Sequence, residues 1–211
     1  MYIAIEGVIG VGKTTLARLL QPHYEAELLL EVFEENPFLS DFYSDRERYA
    51  FQTQIFFLLS RYHQQRRATT SILEQHSSLV SDYTFDKDAL FASINLKGDE
   101  LEMYHRVHQA LAEKILRPDL TVYLKADTEV LMQRITSRDR PYERKMERAY
   151  LEQLNQAYDD YFSSSGIDAP VLTIDTNNLN IISRIEDLIA IDQRIKQALR
   201  LAPYQTELPI N

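Results

Sequence analysis

The sequence contains no cysteine, and this absence excludes both a disulfide framework and thiolate chemistry. Long apolar runs are missing too, and none approaches the ~18 residues that a membrane-spanning helix needs. The first residues enter an apolar run directly, without the charged and apolar regions of a signal peptide. We therefore expect a complete, soluble protein of the cytoplasm with no membrane partner.

Basic residues are in the minority, with 23 Lys and Arg against 32 Asp and Glu and a formal net charge of −9. This excess of negative charge disfavours general binding to nucleic acids or anionic membranes. A chain of 211 residues suits one α/β domain with a sizeable core. We expect a single domain over residues 1–211 whose partners are small molecules and not nucleic acid.

Glycine is also scarce, with five in the chain, yet three of them fall in one short run. This run fits G-x-x-x-x-G-K-[ST], the phosphate-binding loop, at every fixed position, between an apolar strand-like run and a helix-like segment. Lys13 is expected to reach the β- and γ-phosphates of ATP, and Thr14 to bind Mg²⁺. The loop consists of Gly7, Val8, Ile9, Gly10, Val11, Gly12, Lys13, Thr14 and Thr15.

Short apolar runs alternate with longer segments of helical periodicity, which indicates a parallel sheet with helices on both faces. The predicted strands are Tyr2–Ile5, Glu27–Val32, Ser78–Ser81, Leu120–Lys125 and Val171–Ile174. Near the C-terminus, Ile181–Leu199 is predicted as an amphipathic helix, and Glu207–Pro209 as part of a frayed tail. The fold class is therefore a P-loop α/β protein with a five-stranded parallel sheet.

The loop alone does not choose among GTPases, ATPases and small-molecule kinases. A GTPase is disfavoured because neither Gly98 nor Gly166 has an Asp three residues earlier, and N-K-x-D is absent. A kinase needs a proton acceptor, and Glu31 ends the second predicted strand at the edge where such sheets bind ligands. A kinase also needs mobile positive charge, and residues 134–144 contain four arginines. By itself, a carboxylate such as Glu31 is more often a solvated acid at a strand end, and the arginines could equally be an exposed helix end with ion pairs.

Several ordered blocks beyond the loop make the chain resemble the deoxynucleoside kinase family, closest to the bacterial deoxyguanosine/deoxyadenosine kinases. The resemblance runs from Tyr2 to about Asp175. The blocks are the loop, Glu31 with Asn36–Leu39, Tyr43–Asp45 with Tyr49–Gln54, Ser81–Tyr83 with Phe91–Ala92, and Arg134–Glu143.

On the acceptor side, the resemblance assigns a role to each matching residue. Glu31 lies beside the 5′-hydroxyl and acts as, or assists, the general base. Tyr43 and Glu143 bind the 3′-hydroxyl of the sugar. The remaining matches contact the base, namely Gln54, Arg61, Phe91 and an acid that is Asp86 or, as favoured here, Asp88.

On the donor side, the resemblance implies ATP with Mg²⁺ and an arginine-rich lid over about residues 134–146. Arg134 and Arg138 would hold ATP phosphates, and Arg140 would act catalytically together with Lys13. Asp82 keeps the acid of the acid-Arg-Ser triplet found in many family members, and either Asp82 or Glu31 could accept the proton. The arginine of that triplet is replaced by Tyr83, which leaves its contact unassigned.

The resulting prediction is ATP-dependent phosphorylation of the 5′-hydroxyl of a purine deoxynucleoside, deoxyguanosine first and deoxyadenosine second, in nucleotide salvage. The Asp82-Tyr83 pair, which resembles the guanine-preferring branch, is the main reason for this order. A homodimer is implied by the resemblance only. Two alternatives stay open: a nucleoside monophosphate kinase on the same scaffold, and a non-catalytic nucleotide-binding regulatory protein.

Two further features lie at predicted strand ends. Asp127 is expected to cap the helix after the fourth strand and not to bind metal. The turn Asp175–Asn178 after the fifth strand is placed by the fold near the adenine of ATP. His63, His76, His105 and His108 have no ligand spacing that excludes a surface position, and no function is assigned to them.

Overall fold

Five strands form one sheet in which every hydrogen-bonded pair is parallel. The structure is a computed structural model that describes residues 1–73, 77–164 and 169–201, with backbone only at 71–73. The predicted tail at Glu207–Pro209 lies outside the described residues, as do His76 and Gly166. The sheet order is β2-β3-β1-β4-β5, with β1 Tyr2–Gly7, β2 Ala26–Leu29, β3 Ser78–Ser81, β4 Leu120–Lys125 and β5 Val171–Asp175.

Helices connect the strands, as the alternating pattern predicted. They are α1 Lys13–Leu20, α2 Leu39–Ser44, α3 Arg46–Leu73, α4 Asp86–Asn95, α5 Gly98–Ala112, α6 Thr128–Arg138, α7 Arg148–Ser163 and α8 Ile185–Ala198. Short 3₁₀ helices occupy Gln21–Tyr24, Phe33–Glu35 and Pro141–Lys145. Among the described residues, no helix combines the length and apolarity that crossing a bilayer demands.

Helices cover both faces of the sheet. As a result, alternate residues of β1, which point to opposite sides, are buried on both sides. Ile3 and Ile5 belong to a large core that includes Leu16 of α1 and Ile191 of α8. Tyr2 and Ala4 belong to a smaller cluster with Leu29, Leu79 and Tyr83, against Ala68 of α3. All residues of β1 are buried, as expected for a central parallel strand.

The second strand is shorter than predicted, and its end at Leu29 corrects the expected bounds Glu27–Val32. Asp82, which follows β3, donates its backbone N–H to the Leu29 carbonyl, 3.2 Å away. Its carboxylate then accepts the N–H of Glu31, with a nitrogen–oxygen distance of 2.8 Å. Because the Asp82 side chain, and not the backbone of β3, accepts the N–H of Glu31, the chain leaves the sheet after Leu29. Glu31 therefore lies two residues beyond the strand.

The last helix also starts later than predicted, at Ile185 and not at Ile181. The Asn180 carbonyl accepts the N–H groups of Ser183 and Arg184, and these bonds form a turn before the helix. The Asn180 side chain accepts a second bond from Ser183 N–H. Local turn bonds therefore compete with the first helical turn that the apolar spacing predicted.

Candidate active site

The phosphate-binding loop joins β1 to α1 and needs its glycines for steric reasons. Gly7 has a φ of +143°, and a Cβ there would lie 2.4 Å from the Leu124 carbonyl oxygen. Gly10 has a φ of +89°, and a Cβ there would lie 2.8 Å from Ile135 Cγ1. Glycine alone adopts these conformations without strain, and it leaves the backbone N–H groups free to curl around an anion.

Lys13 is the first residue of α1, and its ammonium group turns back over the loop. Lys13 Nζ donates to the carbonyl oxygens of Gly7 and Val8, at 2.7 and 3.1 Å. Burial and the nearby charge of Lys87 lower its pKa to about 8, against the opposing effect of three carboxylates. The ammonium is therefore protonated at neutral pH, where it can bind phosphate oxygens.

Thr14 and Asp82 bring oxygen ligands together beside the loop. Thr14 Oγ1 donates to Asp82 Oδ2 at 2.5 Å. A hydroxyl with one carboxylate fits Mg²⁺, which keeps several waters and takes phosphate oxygens as further ligands. Within the described ranges, no group of three or more His, Cys, Asp or Glu side chains forms a denser metal site. These two residues are therefore the ones that would hold the ion.

A cavity of about 280 Å³ extends from the loop to the middle of α3. It brings together nearly all of the residues that the sequence predicted on the acceptor side. The predicted residues that line it are Ile9, Gly10, Gly12, Lys13, Thr14, Thr15, Glu31, Tyr43, Gln54, Arg61, Asp82, Phe91, Arg138, Arg140 and Glu143. The further lining residues are Phe33, Leu39, Phe57, Lys87 and Tyr142.

A buried cluster of four charges lies on one side of this cavity. Arg61 donates to Glu31 through one guanidinium nitrogen and to Asp88 through the other. Lys87 Nζ donates to Glu31 Oε2 at 2.6 Å. The four side chains are 15% exposed or less. Two cations and two anions balance, as burial of charge requires.

Glu31 is ionised in this cluster. Burial by itself would raise its pKa, but the charges of Lys87 and Arg61 outweigh it and hold the pKa far below its usual range. Each of the two cations bonds a different carboxylate oxygen, so the carboxylate is also fixed in orientation. Glu31 therefore presents a negatively charged acceptor to the cavity at any pH near neutrality.

Asp88 and Asp86 were the two candidates for an acid near the base, and the structure separates them. Asp88 is fully buried behind Arg61, which itself lines the cavity. Asp86 is exposed at the start of α4. Asp88 therefore touches the cavity through its ion pair with Arg61, and its contact with the base stays a prediction.

Gln54 and Arg61 lie seven residues apart on α3 and both reach the cavity, as their shared helix face predicted. Gln54 is 2% exposed. Arg61 packs over the Phe57 ring, with its guanidinium carbon 4.5 Å from the ring centre. Among the described residues, Arg61 Nε has no hydrogen-bond partner. This part of the cavity thus combines polar groups with aromatic surface.

The residues predicted to bind the sugar lie near the arginines predicted to bind phosphate. Glu143 is buried and accepts two hydrogen bonds from Arg138, at 2.7 and 2.8 Å. Arg140 Nη1 is 3.7 Å from Glu143 Oε1, and its guanidinium lies 4.2 Å from the centre of the Phe33 ring. Tyr43 stacks on Tyr142, with 6.3 Å between ring centres. Arg138 and Arg140 are therefore paired with an acid of the same site.

Arg134 does not line the first cavity; it lines a second cavity of about 420 Å³ on the other side of the loop, which Arg138 also lines. It donates to the Thr176 carbonyl at 2.7 Å and to the Val11 carbonyl at 3.3 Å. Thr176 belongs to the turn after β5 that was predicted to lie near adenine, and it lines this cavity. Arg134 thus joins the loop to that turn.

Several features of the site were not predicted. The contact of Lys87 with Glu31 was not predicted, because a lysine in the first turn of a helix is normally solvated. Glu6 accepts hydrogen bonds from Thr84 N–H and Thr84 Oγ1 at 2.6 and 3.0 Å, and so fixes the turn after β3.

Asp127 occupies the N-cap position of α6, but the described part of the chain shows no capping bond from its side chain, which corrects the predicted cap.

A phosphate-binding loop beside a cavity with an ionised carboxylate and several arginines defines a P-loop phosphotransferase. A family model described as deoxynucleoside kinase matches residues 3–200, and the chain belongs to the deoxynucleoside kinase family. It is 33% identical to a deoxyguanosine kinase of Bacillus subtilis (strain 168), with 94% of this chain and 97% of that protein covered. It is 32% identical to a deoxyadenosine/deoxycytidine kinase of the same organism, with 89% of each covered.

Solved structures give the same assignment. A deoxyadenosine kinase from M. mycoides, with the products dCMP and a flexible dCDP bound, matches with a TM-score of 0.82 at 25% identity. The match covers 93% of this chain and 100% of that chain. The protein is therefore a deoxynucleoside kinase, and its family implies ATP as phosphate donor. This confirms the predicted enzyme class against the monophosphate kinase and the non-catalytic protein.

Proposed function

We propose that the enzyme transfers the γ-phosphoryl group of ATP to the 5′-hydroxyl of a purine deoxynucleoside, deoxyguanosine first and deoxyadenosine second, in nucleotide salvage. The observation that carries the proposal is the cavity with Lys13 and Thr14 at one end and Gln54 and Arg61 at the other. Glu31 lies between these ends and supplies a negative acceptor for a hydroxyl proton.

Preference for guanine is supported by the polar groups at the far end of the cavity. Arg61 offers only donors, and guanine presents two acceptors, O6 and N7, on one edge. Adenine carries an amino group in place of O6, which Arg61 cannot satisfy. The Gln54 amide has both a donor and an acceptor, and it suits either purine. Deoxyadenosine is therefore a second and weaker acceptor.

In the proposed reaction, Tyr43 and Glu143 bind the 3′-hydroxyl and Phe91 packs against the base. The 5′ oxygen forms a bond to the γ-phosphorus while the bond from that phosphorus to the bridging oxygen breaks, and ADP leaves. Glu31 takes the hydroxyl proton, because Asp82 is the carboxylate that would hold Mg²⁺ together with Thr14. Orientation and charge supply most of the rate enhancement.

Charge on the transferring group is stabilised by Lys13 and by arginines of the proposed lid, residues 134–146. Arg138 and Arg140 would exchange Glu143 for phosphate oxygens as the lid closes, while Arg134 supports the outer side of the loop. Mg²⁺, held through Thr14 and Asp82, would neutralise phosphate charge when bound. A homodimer and a cytoplasmic location stay predictions from the resemblance and the composition.

The proposed specificity is tested by kcat/KM for the four deoxynucleosides with saturating ATP and Mg²⁺. We expect deoxyguanosine to exceed deoxyadenosine by about tenfold, the value of one good base contact, and both to exceed the pyrimidines. The product should be the 5′-monophosphate. Lys13→Ala should abolish turnover with all four, because it removes the ammonium that binds the β- and γ-phosphates.

A pair of variants on α3 provides the matched control. Gln54→Leu should lower kcat/KM for the purine deoxynucleosides more than for the pyrimidine ones. Gln52→Leu, at an exposed position of the same helix, should leave kcat/KM unchanged for all four. Equal or greater turnover of deoxycytidine and thymidine would refute the purine preference. Turnover of the deoxynucleoside monophosphates in place of the nucleosides would refute the acceptor.

A further inference from the structure

Lys87 is a buried cation that none of the predicted roles uses. It lies in the first turn of α4, is 7% exposed and lines the acceptor side of the cavity. Its ammonium group is 2.6 Å from Glu31 Oε2 and 5.6 Å from the centre of the Phe91 ring. A lysine is seldom buried without a partner, and here the partner is the carboxylate proposed to face the 5′-hydroxyl.

The turn before α4 brings Lys87 to Glu31. Tyr83, which follows Asp82, is buried in the apolar cluster on β1 and β3. Its hydroxyl donates to Gln64 Oε1 at 3.0 Å. The turn continues through Thr84, which Glu6 anchors, and leads directly into α4. Lys87 thus reaches Glu31 from a position five residues after Asp82.

We propose that Lys87 is a positioning residue that holds the Glu31 carboxylate oriented toward the acceptor hydroxyl. This inference rests on the proposed function. Arg61 bonds one oxygen of Glu31 and Lys87 bonds the other, so rotation of the carboxylate breaks one of the two pairs. With Lys87 removed, the carboxylate keeps one partner and can turn away from the cavity.

The first test compares Lys87→Met with Lys87→Arg and with Lys97→Met, an exposed lysine beyond the end of α4. Lys87→Met should lower kcat for deoxyguanosine about 100-fold, the usual cost of a misplaced reacting group, with little change in KM for ATP. Lys87→Arg should recover most of kcat, and Lys97→Met should match the wild-type enzyme.

The second test uses the absence of cysteine from the chain. Lys87→Cys can be alkylated at that one thiol, with completeness checked by mass spectrometry. Reaction with 2-bromoethylamine restores an ammonium group at nearly the length of lysine, whereas iodoacetamide adds a neutral amide. We expect the first product to regain at least tenfold in kcat over the second. This comparison needs no folded Lys87→Met protein.

The outcomes separate the inference from the function on which it rests. A wild-type enzyme that phosphorylates deoxyguanosine, with kcat of Lys87→Met within threefold of the wild-type value, overturns the inference alone. Equal activity of the two alkylated products does the same. A wild-type enzyme that phosphorylates none of the four deoxynucleosides overturns the proposed function, and the inference with it.

Discussion

The Glu31→Gln variant is expected to lose about a thousandfold in kcat, within the range that removal of a general base usually costs. The amide keeps the size of the carboxylate but carries no negative charge, so it cannot take up the hydroxyl proton. It also presents an NH₂ group to Lys87 or Arg61, where the wild-type carboxylate accepts hydrogen bonds. Steady-state kinetics with deoxyguanosine measures the loss.

Two controls belong to this prediction. ATP affinity should be unchanged, because the bonds of Lys13 to the loop do not involve Glu31. Glu35→Gln, at an exposed position of the next 3₁₀ helix, should retain full activity. Activity of Glu31→Gln within tenfold of the wild-type enzyme would move the proton acceptor to Asp82.

Replacing Arg61 with methionine should have the largest effect on stability. The change leaves Asp88 fully buried and removes one of the two cations on Glu31. Breaking a buried ion pair by deleting one partner typically destabilises a protein by about 3–5 kcal/mol. Activity should be lost as well, because the same side chain is proposed to contact the base. Denaturant unfolding and kinetics measure the two effects separately.

A double variant tests whether the lost stability comes from the uncompensated charge. Arg61→Met/Asp88→Asn should recover part of the free energy of unfolding, since the orphaned carboxylate is gone, but it should remain inactive. Arg66→Met, at an exposed position of the same helix, should be close to the wild-type enzyme in both measurements. A single Arg61→Met variant as stable as the wild type would contradict the charge balance described for this cluster.

The parts of the fold that follow from local chemistry were predicted well. The phosphate loop has a strict residue spacing because glycines must sit where a Cβ would collide with Leu124 or Ile135. The parallel sheet followed from apolar runs that alternate with helical segments. The third and fourth strands match their predicted bounds, because each is a short and mostly buried run.

The parts that depend on distant residues were predicted less well. The end of β2 is set by Asp82, 51 residues away, which bonds the backbone of Glu31. The role of Asp88 depends on Arg61, 27 residues away, and that of Lys87 on Glu31, 56 residues away. In the sequence, Lys87 stands between two acids at a helix start, a pattern typical of a solvated surface. Only packing of α4 against α3 turns these residues into one cluster.

The position of the 5′ oxygen in a complex with deoxyguanosine and a non-hydrolysable ATP analogue tests the account most directly. A crystal structure of this complex should place that oxygen within hydrogen-bond distance of Glu31, with the base beside Gln54 and Arg61. The γ-phosphate should lie over Lys13. A nucleoside bound with its 5′ oxygen directed away from Glu31, or with its base at the loop, would contradict the proposed reaction.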